Sequence, residues 1–213
     1  WELDTPWKDR DPGMTFLANP NSPSGTVVSL TRIERLAAEV RGPLIVDEAY
    51  ADFAEENAIS LARTGRVIVT RTLSKSYSLA GIRFGFAITT PETARQLVKV
   101  KDSYNCDVLS LAAATAAVDD QAYMQQTRAK ILATRKRLAD QLTQLGFRIT
   151  PSQANFVWSQ RDDRPVKPIF EELKKRNILV RYMVYDGFGD GLRITVGTEA
   201  EIDRLIEELR QIV

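Results

Sequence analysis

The pattern of apolar and polar residues predicts strands and helices in alternation over the first half of the chain. Short continuous apolar runs are typical of buried strands, and four of them occur at Met14–Ala18, Leu44–Val46, Val67–Val69 and Phe84–Thr89. Between the first two runs, apolar residues recur at helical spacing from Ile33 to Val40, and Thr31 with Glu34 predicts a capping box at the start of that helix. This alternation favours a mainly parallel sheet covered by helices, an α/β fold.

The second half becomes helical and then mixed. Helices are predicted at Glu92–Tyr104, Val108–Val118, Gln121–Leu145, Pro168–Asn177 and from Thr198 onward, with strands at Phe147–Thr150, Asn155–Ser159, Ile178–Arg181 and Leu192–Val196. Thr198 and Glu201 predict a second capping box. Because a helix as long as Gln121–Leu145 commonly bridges two domains, we divide the chain into residues 1–122 and a small C-terminal α+β domain, residues 123–213.

Composition excludes several classes of protein. The chain of 213 residues has 29 basic and 28 acidic side chains, so its net charge of +1 gives no basis for a nucleic-acid or membrane partner. No apolar run approaches the length that crosses a bilayer, and residues 1–10 lack the features of a signal peptide. The single cysteine, Cys106, suits a reducing cytoplasm.

The chain contains no histidine. This excludes Ser-His-Asp and Cys-His catalysis and histidine-ligated zinc, and we predict no metal site. Any acid–base chemistry must then use lysine, carboxylates or tyrosine.

Three polar motifs follow directly after predicted strands, at Asn19–Gly25, Asp47–Tyr50 and Thr72–Lys75. In parallel sheets ligands bind beyond the carboxyl ends of the strands, so these motifs are expected to meet at one edge. Asp47 comes after three apolar residues, and a carboxylate placed there is expected to have a cationic partner. A turn or cap role is the alternative.

The segment around Lys75 indicates a phosphorylated carbonyl ligand. A lysine amine can form a Schiff base with a carbonyl group, while the hydroxyls of Thr72 and Ser74 and the guanidinium of Arg83 can hold a phosphate dianion. The alternative is a solvated loop lysine, which becomes less favoured once three polar motifs share one sheet edge.

Two arginines stand among apolar residues in the second half. Arg181 is predicted to end a strand, and Arg193 lies within the predicted strand Leu192–Val196. A guanidinium in such a place needs an anion. That anion could be a ligand carboxylate or phosphate bound in bidentate fashion, or an Asp or Glu of the chain.

Taken together, these motifs resemble the fold-type I pyridoxal-phosphate aminotransferases and, within them, the histidinol-phosphate aminotransferases. The matching motifs, in family order over nearly the whole chain, are N-P-N-S-P-S-G, D-E-A-Y, T-L-S-K-S-Y-S-L-A-G-I-R-F-G, S-Q-A-N-F-V, I-L-V-R and G-L-R-I-T-V-G-T. The resemblance implies a partial cofactor-binding large domain over residues 1–122, because the N-terminal third of a typical member has no counterpart here.

By this resemblance, the ring of pyridoxal 5'-phosphate would be held by three catalytic residues. Lys75 would form the covalent link, Asp47 would pair with the protonated ring nitrogen, and Tyr50 would hydrogen-bond the ring's 3-oxygen. The family usually has Asn where this chain has Ser22, so Asn21 or Ser22 would have to contact that oxygen instead.

The resemblance also assigns the anion-binding residues. Thr72, Ser74 and Arg83 would hold the cofactor phosphate. Arg193 would bind the carboxylate of glutamate or 2-oxoglutarate, and Arg181 together with it would contact the phosphate of histidinol phosphate.

The implied activity is transamination of histidinol phosphate with 2-oxoglutarate in histidine biosynthesis. A homodimer is implied for the full-length parent, with small amino and keto acids as its partners. The alternatives are a phosphothreonine decarboxylase, an aromatic aminotransferase, or a non-catalytic cofactor-binding fragment.

Overall fold

The computed structural model describes residues 12–213, which form two compact units. The first unit consists of the chain up to Asn21 together with residues 27–126, and the second consists of residues 22–26 and 127–213. The predictions made for residues 1–10 lie outside the described residues. No helix within residues 12–213 is both long enough and apolar enough to cross a membrane.

The first unit contains a four-stranded sheet. Its strands are β1 (Thr15–Ala18), β2 (Leu44–Asp47), β3 (Val67–Thr72) and β4 (Gly85–Ile88), in the order β1-β2-β3-β4. β1, β2 and β3 run parallel and β4 is antiparallel to β3. The predicted mainly parallel sheet is confirmed, and β1, β2 and β3 place their carboxyl ends at one edge.

Three helices accompany this sheet: α1 (Leu30–Glu39), α2 (Pro91–Val100) and α3 (Val108–Asp119). The apolar face of α1 packs against Leu44, Val46, Val67 and Val69 to form the core of the unit. The predicted capping box of α1 is wrong, because the helix already begins at Leu30 and Ser29 is its N-cap, accepting a 3.3 Å hydrogen bond from the Arg32 amide. α2 ends before the predicted Tyr104, since the backbone becomes extended at Lys101.

The second unit contains an antiparallel sheet packed on helices. Its elements are α4 (Gln121–Gln144), β5 (Arg148–Thr150), β6 (Phe156–Gln160), α5 (Lys167–Lys175), β7 (Arg181–Tyr185), β8 (Gly189–Thr195) and α6 (Glu199–Ile212), with strand order β5-β6-β8-β7. One face of the sheet packs with α4, α5 and α6 around buried Leu138, Leu142, Leu173 and Leu209. The capping box of Thr198 and Glu201 is confirmed.

The strand predicted at Ile178–Arg181 is wrong. Ile178 instead closes the end of α5, because its amide donates a 2.9 Å hydrogen bond to the Leu173 carbonyl. Asn177 just before it adopts a positive φ of 60°. Strand β7 therefore begins at Arg181, and this arginine opens the strand that it was expected to end.

Candidate active site

The loop that follows β1 is closed by the side chain of a buried asparagine. Asn19 accepts a 2.7 Å hydrogen bond from the Val28 amide and donates a 3.2 Å bond from its Nδ2 to the Val28 carbonyl. The peptide bonds Asn19–Pro20 and Ser22–Pro23 are both cis. The two hydrogen bonds between Asn19 and Val28 hold the two ends of the loop together and fix where Asn21 leaves the sheet edge.

The second part of the loop, residues 22–26, belongs to the second unit. The Arg193 Nη1 donates to the Ser22 hydroxyl at 2.8 Å, and the Gln153 amide donates to the Gly25 carbonyl at 2.7 Å. The Ser22 oxygen, which was expected to contact a cofactor ring oxygen, here accepts a hydrogen bond from Arg193.

The loop after β2 carries two acidic residues in opposite environments. Asp47 is exposed and accepts a 3.0 Å hydrogen bond from the Ala49 amide. Glu48 is 1% exposed and forms an ion pair with Arg71 at 2.7 Å. The bond from the Ala49 amide matches the turn role that was the alternative for Asp47, and its exposed carboxylate stays available to a ligand cation. The carboxylate that pairs with a cation of the chain is instead Glu48, which the following turn buries.

Burial raises the pKa of Glu48, because the charged carboxylate loses its hydration. The Ala58 amide, which donates to the carboxylate, and the Arg71 guanidinium act in the opposite direction.

The loop after β3 presents Lys75 beside two hydroxyls. The Thr72 and Ser74 hydroxyl oxygens lie 2.9 Å apart, and the Ser74 amide donates to the Thr72 oxygen at 3.1 Å. The side chain of Lys75 is exposed, and its Nζ lies 5.4 Å from the centroid of the Tyr50 ring. The amine is therefore accessible and stands over an aromatic residue from the neighbouring β2 loop.

Arg83 lies at the end of the same segment. Its backbone is left-handed, with φ of 56°, and its Nη1 donates a 2.7 Å hydrogen bond to the Ala80 carbonyl. The bond to Ala80 uses one of the five N–H donors of the Arg83 guanidinium. The remaining donors suit an oxyanion.

The second unit aligns two arginines across neighbouring strands. Arg181 of β7 is directly opposite Arg193 of β8, and Trp158 of β6 is opposite Arg193 on the other side. The Nε of Arg193 and the Nε1 of Trp158 are buried and have no hydrogen-bond partner within residues 12–213. Like charges placed directly opposite each other are unfavourable, so the face is suited to an anion.

The structure distributes the predicted site residues over its two units. The first unit holds Asn21, Asp47, Tyr50, Thr72, Ser74, Lys75 and Arg83, and the second holds Ser22, Arg181 and Arg193. Sequence reasoning missed the partners of the Lys75 loop, which are Glu48, Asp52, Arg71 and Ser76. An available signal was Arg71, a cation two positions after the apolar run Val67–Val69.

Comparison with known proteins defines the class. Residues 3–209 match the model of the family "Aminotransferase class I and II". The chain belongs to this family, which confirms the resemblance found in its motifs.

Individual relatives are more specific. The chain is 50% identical over 206 residues to the histidinol-phosphate aminotransferase of Rhodopirellula baltica, covering 95% of this chain and 57% of that protein. It is 45% identical to the enzyme of the same name from Geotalea daltonii, covering 100% of this chain and 61% of that protein. The chain thus spans less than two thirds of these relatives.

A solved structure agrees in fold. The histidinol-phosphate aminotransferase of Sinorhizobium meliloti in complex with pyridoxal-5'-phosphate is 29% identical and superposes with a TM-score of 0.88, covering 97% of this chain and 60% of that one. The predicted fold-type I architecture is confirmed.

The residues present fit pyridoxal phosphate, the cofactor of this family. An accessible amine at Lys75 suits its carbonyl, the exposed Asp47 carboxylate suits a protonated ring nitrogen, and the hydroxyl pair of Thr72 and Ser74 suits its phosphate. All of these lie at or just past the carboxyl ends of β2 and β3.

Proposed function

We propose that this chain supplies the cofactor-binding and acid-binding residues of an aminotransferase that acts on histidinol phosphate with 2-oxoglutarate. The observation that carries the proposal is the accessible Lys75 amine, which lies 5.4 Å from the centroid of the Tyr50 ring. The Thr72–Ser74 hydroxyl pair directly precedes it in the chain, and Asp47 ends the neighbouring strand β2. This is the set of groups that transamination with pyridoxal phosphate requires.

When bound, the cofactor supplies an electron sink for the bond that breaks at the substrate's α-carbon. The chain's residues would hold and orient it: Asp47 would pair with the protonated ring nitrogen, Tyr50 and Asn21 or Ser22 would hydrogen-bond the ring oxygen, and Thr72, Ser74 and Arg83 would hold the phosphate. The Lys75 Nζ would be the base that accepts the proton from the substrate's α-carbon. Because amino and keto substrates bind in turn, ping-pong kinetics are expected.

The arginine pair supports a doubly anionic substrate. Arg193 is held by Ser22 at 2.8 Å and its Cζ lies 5.2 Å from the centroid of the Phe156 ring, which fixes the guanidinium in place. Arg181, opposite it across the strands, is exposed. One carboxylate or phosphate bound between two such groups would offset their repulsion. The names of the relatives make histidinol phosphate the substrate we propose.

The remaining properties are proposed for the whole protein. Its relatives extend beyond the region matched here, since the chain covers 57% of the Rhodopirellula baltica protein. We propose a cytoplasmic homodimer whose partners are small amino and keto acids. The net charge of +1 and the single Cys106 support a small-molecule enzyme of a reducing compartment.

The test is amino-group transfer with competing substrates. The protein, loaded with pyridoxal phosphate, is incubated with 2-oxoglutarate and with histidinol phosphate, phenylalanine or phosphothreonine, and both glutamate and carbon dioxide are measured. Glutamate formed fastest from histidinol phosphate is the expected result. An Arg193→Lys variant should lose about tenfold or more in kcat/KM, because a lysine cannot form the bidentate pair.

Each other outcome overturns part of the proposal. Faster transfer from phenylalanine would make the protein an aromatic aminotransferase, and carbon dioxide from phosphothreonine would make it a decarboxylase. Cofactor bound with no product from any donor would leave a cofactor-binding fragment.

A further inference from the structure

The loop after β3, which carries Lys75, and the loop after β2, which carries Tyr50, must hold fixed positions relative to each other if both are to bind one cofactor. The backbone pairing of the two strands ends before either residue is reached. The register of β2 and β3 closes at Asp47 opposite Thr70, followed by one 3.0 Å hydrogen bond from the Glu48 amide to the Thr70 carbonyl. Beyond this pairing, side-chain contacts also join the two loops.

Arg71 provides the first tie. It is the penultimate residue of β3, and its Nε donates to the Glu48 carboxylate at 2.8 Å while its Nη1 pairs with Asp52 at 2.6 Å. Both acids belong to the segment that carries Asp47 and Tyr50. The guanidinium therefore clamps the β2 loop at two points on either side of Tyr50.

Ser76 provides the second tie, and it is adjacent to the lysine. Its hydroxyl donates to the Asp52 Oδ2, and the residue is 6% exposed. Asp52 thus accepts from Arg71 with one oxygen and from Ser76 with the other. A continuous path of polar contacts runs from the end of β3, through the β2 loop, and back to the residue that follows Lys75.

We propose that Asp52, Arg71 and Ser76 are positioning residues that set Lys75 relative to Tyr50 and Asp47. This inference rests on the proposed function and gives a role to three residues that the proposed function leaves without one. The Lys75 side chain remains free to react, while the backbone that carries it is fixed through its neighbour.

The chemistry of the network supports a geometric role over a purely stabilising one. Two carboxylates and one guanidinium, with Arg71 and Glu48 side chains 12% and 0% exposed, lose much of their hydration. Replacing such groups by apolar residues is often neutral or stabilising in proteins, so stability alone is a poor reason to bury them. Their directional bonds, by contrast, specify one arrangement of two loops.

The test uses Ser76→Ala, with Thr134→Val as the matched control. Thr134 is 5% exposed and donates its hydroxyl to the Glu199 carboxylate at 2.6 Å in the second unit, so this variant removes a comparable bond far along the chain from Lys75. Ser76→Thr keeps the hydroxyl and serves as the conservative rescue.

Two measurements on each variant test the positioning role, and the urea midpoint of each variant reports its overall stability. The first is hydrogen exchange of the Leu79 amide, whose 3.0 Å bond to the Leu73 carbonyl closes the Lys75 loop; it needs no cofactor. The second is the fraction of Lys75 trapped by borohydride at limiting pyridoxal phosphate. In Ser76→Ala we expect Leu79 exchange to rise about tenfold and trapping to fall by a similar factor, with wild-type values in Ser76→Thr and Thr134→Val.

The outcomes separate this inference from the proposed function. Wild-type exchange and trapping in Ser76→Ala would overturn the positioning role, as would equal changes in Thr134→Val. A fall in the urea midpoint without faster Leu79 exchange would also overturn it, because the network would then be only structural. If the unaltered chain traps no cofactor at Lys75, the proposed function fails, while Leu79 exchange still decides the inference.

Discussion

Substitution of Gly25 by alanine is expected to destabilise the second unit strongly. Gly25 has φ of +75°, and a Cβ placed there would lie 2.1 Å from the Ser152 Oγ, 2.6 Å from its Cβ and 3.0 Å from its Cα. Because the last of these is a backbone atom, rotation of the serine alone cannot relieve the overlap.

The cost can be worked out from two contributions. Holding alanine in a left-handed conformation costs about 1–2 kcal/mol. Moving Ser152 also disturbs its 2.6 Å hydrogen bond to the Phe156 carbonyl and the 3.1 Å bond that it accepts from the Ala154 amide, at about 1 kcal/mol each. We therefore expect Gly25→Ala to lower the free energy of unfolding by about 3–4 kcal/mol, measured by urea denaturation.

Gly187→Ala separates the two contributions. Gly187 has nearly the same φ, +77°, but a Cβ there would meet nothing within 4 Å, so its cost should be the conformational part alone, about 1–2 kcal/mol. A Ser152→Gly background should recover at least about 1 kcal/mol of the Gly25→Ala loss in a double-mutant cycle. Equal costs for the two glycine variants would refute the close approach and, with it, the tight seating of this loop.

Three further predictions concern stability. Leu142→Ala, at a position with 0% exposure, should lower the free energy of unfolding by about 3 kcal/mol, whereas Leu179→Ala, at 80% exposure, should change it by less than about 0.5 kcal/mol; similar urea midpoints would contradict the assigned core. Thr198→Ala removes the N-cap of α6 and should cost about 1 kcal/mol; an unchanged thermal midpoint would mean that the cap does not form. Burial raises the pKa of Glu48 above 4.5, so its contribution to stability is fully present below pH 4.5 and is lost as the pH rises through the folded-state pKa. The excess stability of the wild type over Glu48→Gln should therefore shrink with rising pH in urea titrations. An excess that grows with pH would show that the pKa of Glu48 is lowered in the folded protein.

The sheet and the site motifs were predictable because their signals are local. Apolar runs such as Val67–Val69 end in polar residues that only the carboxyl edge of a sheet explains, and parallel pairing then brings those ends together. The capping box at Thr198 and Glu201 is equally local, since both of its bonds lie within four residues.

The errors arose where a longer-range contact decides. Glu48 rather than Asp47 is buried because the turn after β2 carries its carboxylate to Arg71, 23 positions away, and to the Ala58 amide. The error at Ile178 is local instead: the Ile178 amide donates to the Leu173 carbonyl, five positions earlier, and closes the end of α5 where a strand was expected. Apolar pattern alone cannot distinguish these arrangements. That Ser22 receives the Arg193 guanidinium at 2.8 Å, across 171 positions, was likewise beyond any local pattern.

The most direct test of the central claim is to find where pyridoxal phosphate attaches. The chain is incubated with the cofactor, reduced with borohydride and digested, and the modified peptide is identified by mass, with Lys75→Ala as the control. The account predicts an adduct on Lys75 that is lost in the variant. No adduct, or label spread over exposed lysines such as Lys99 and Lys136, would contradict it, because the accessible amine above Tyr50 would then not be a cofactor site.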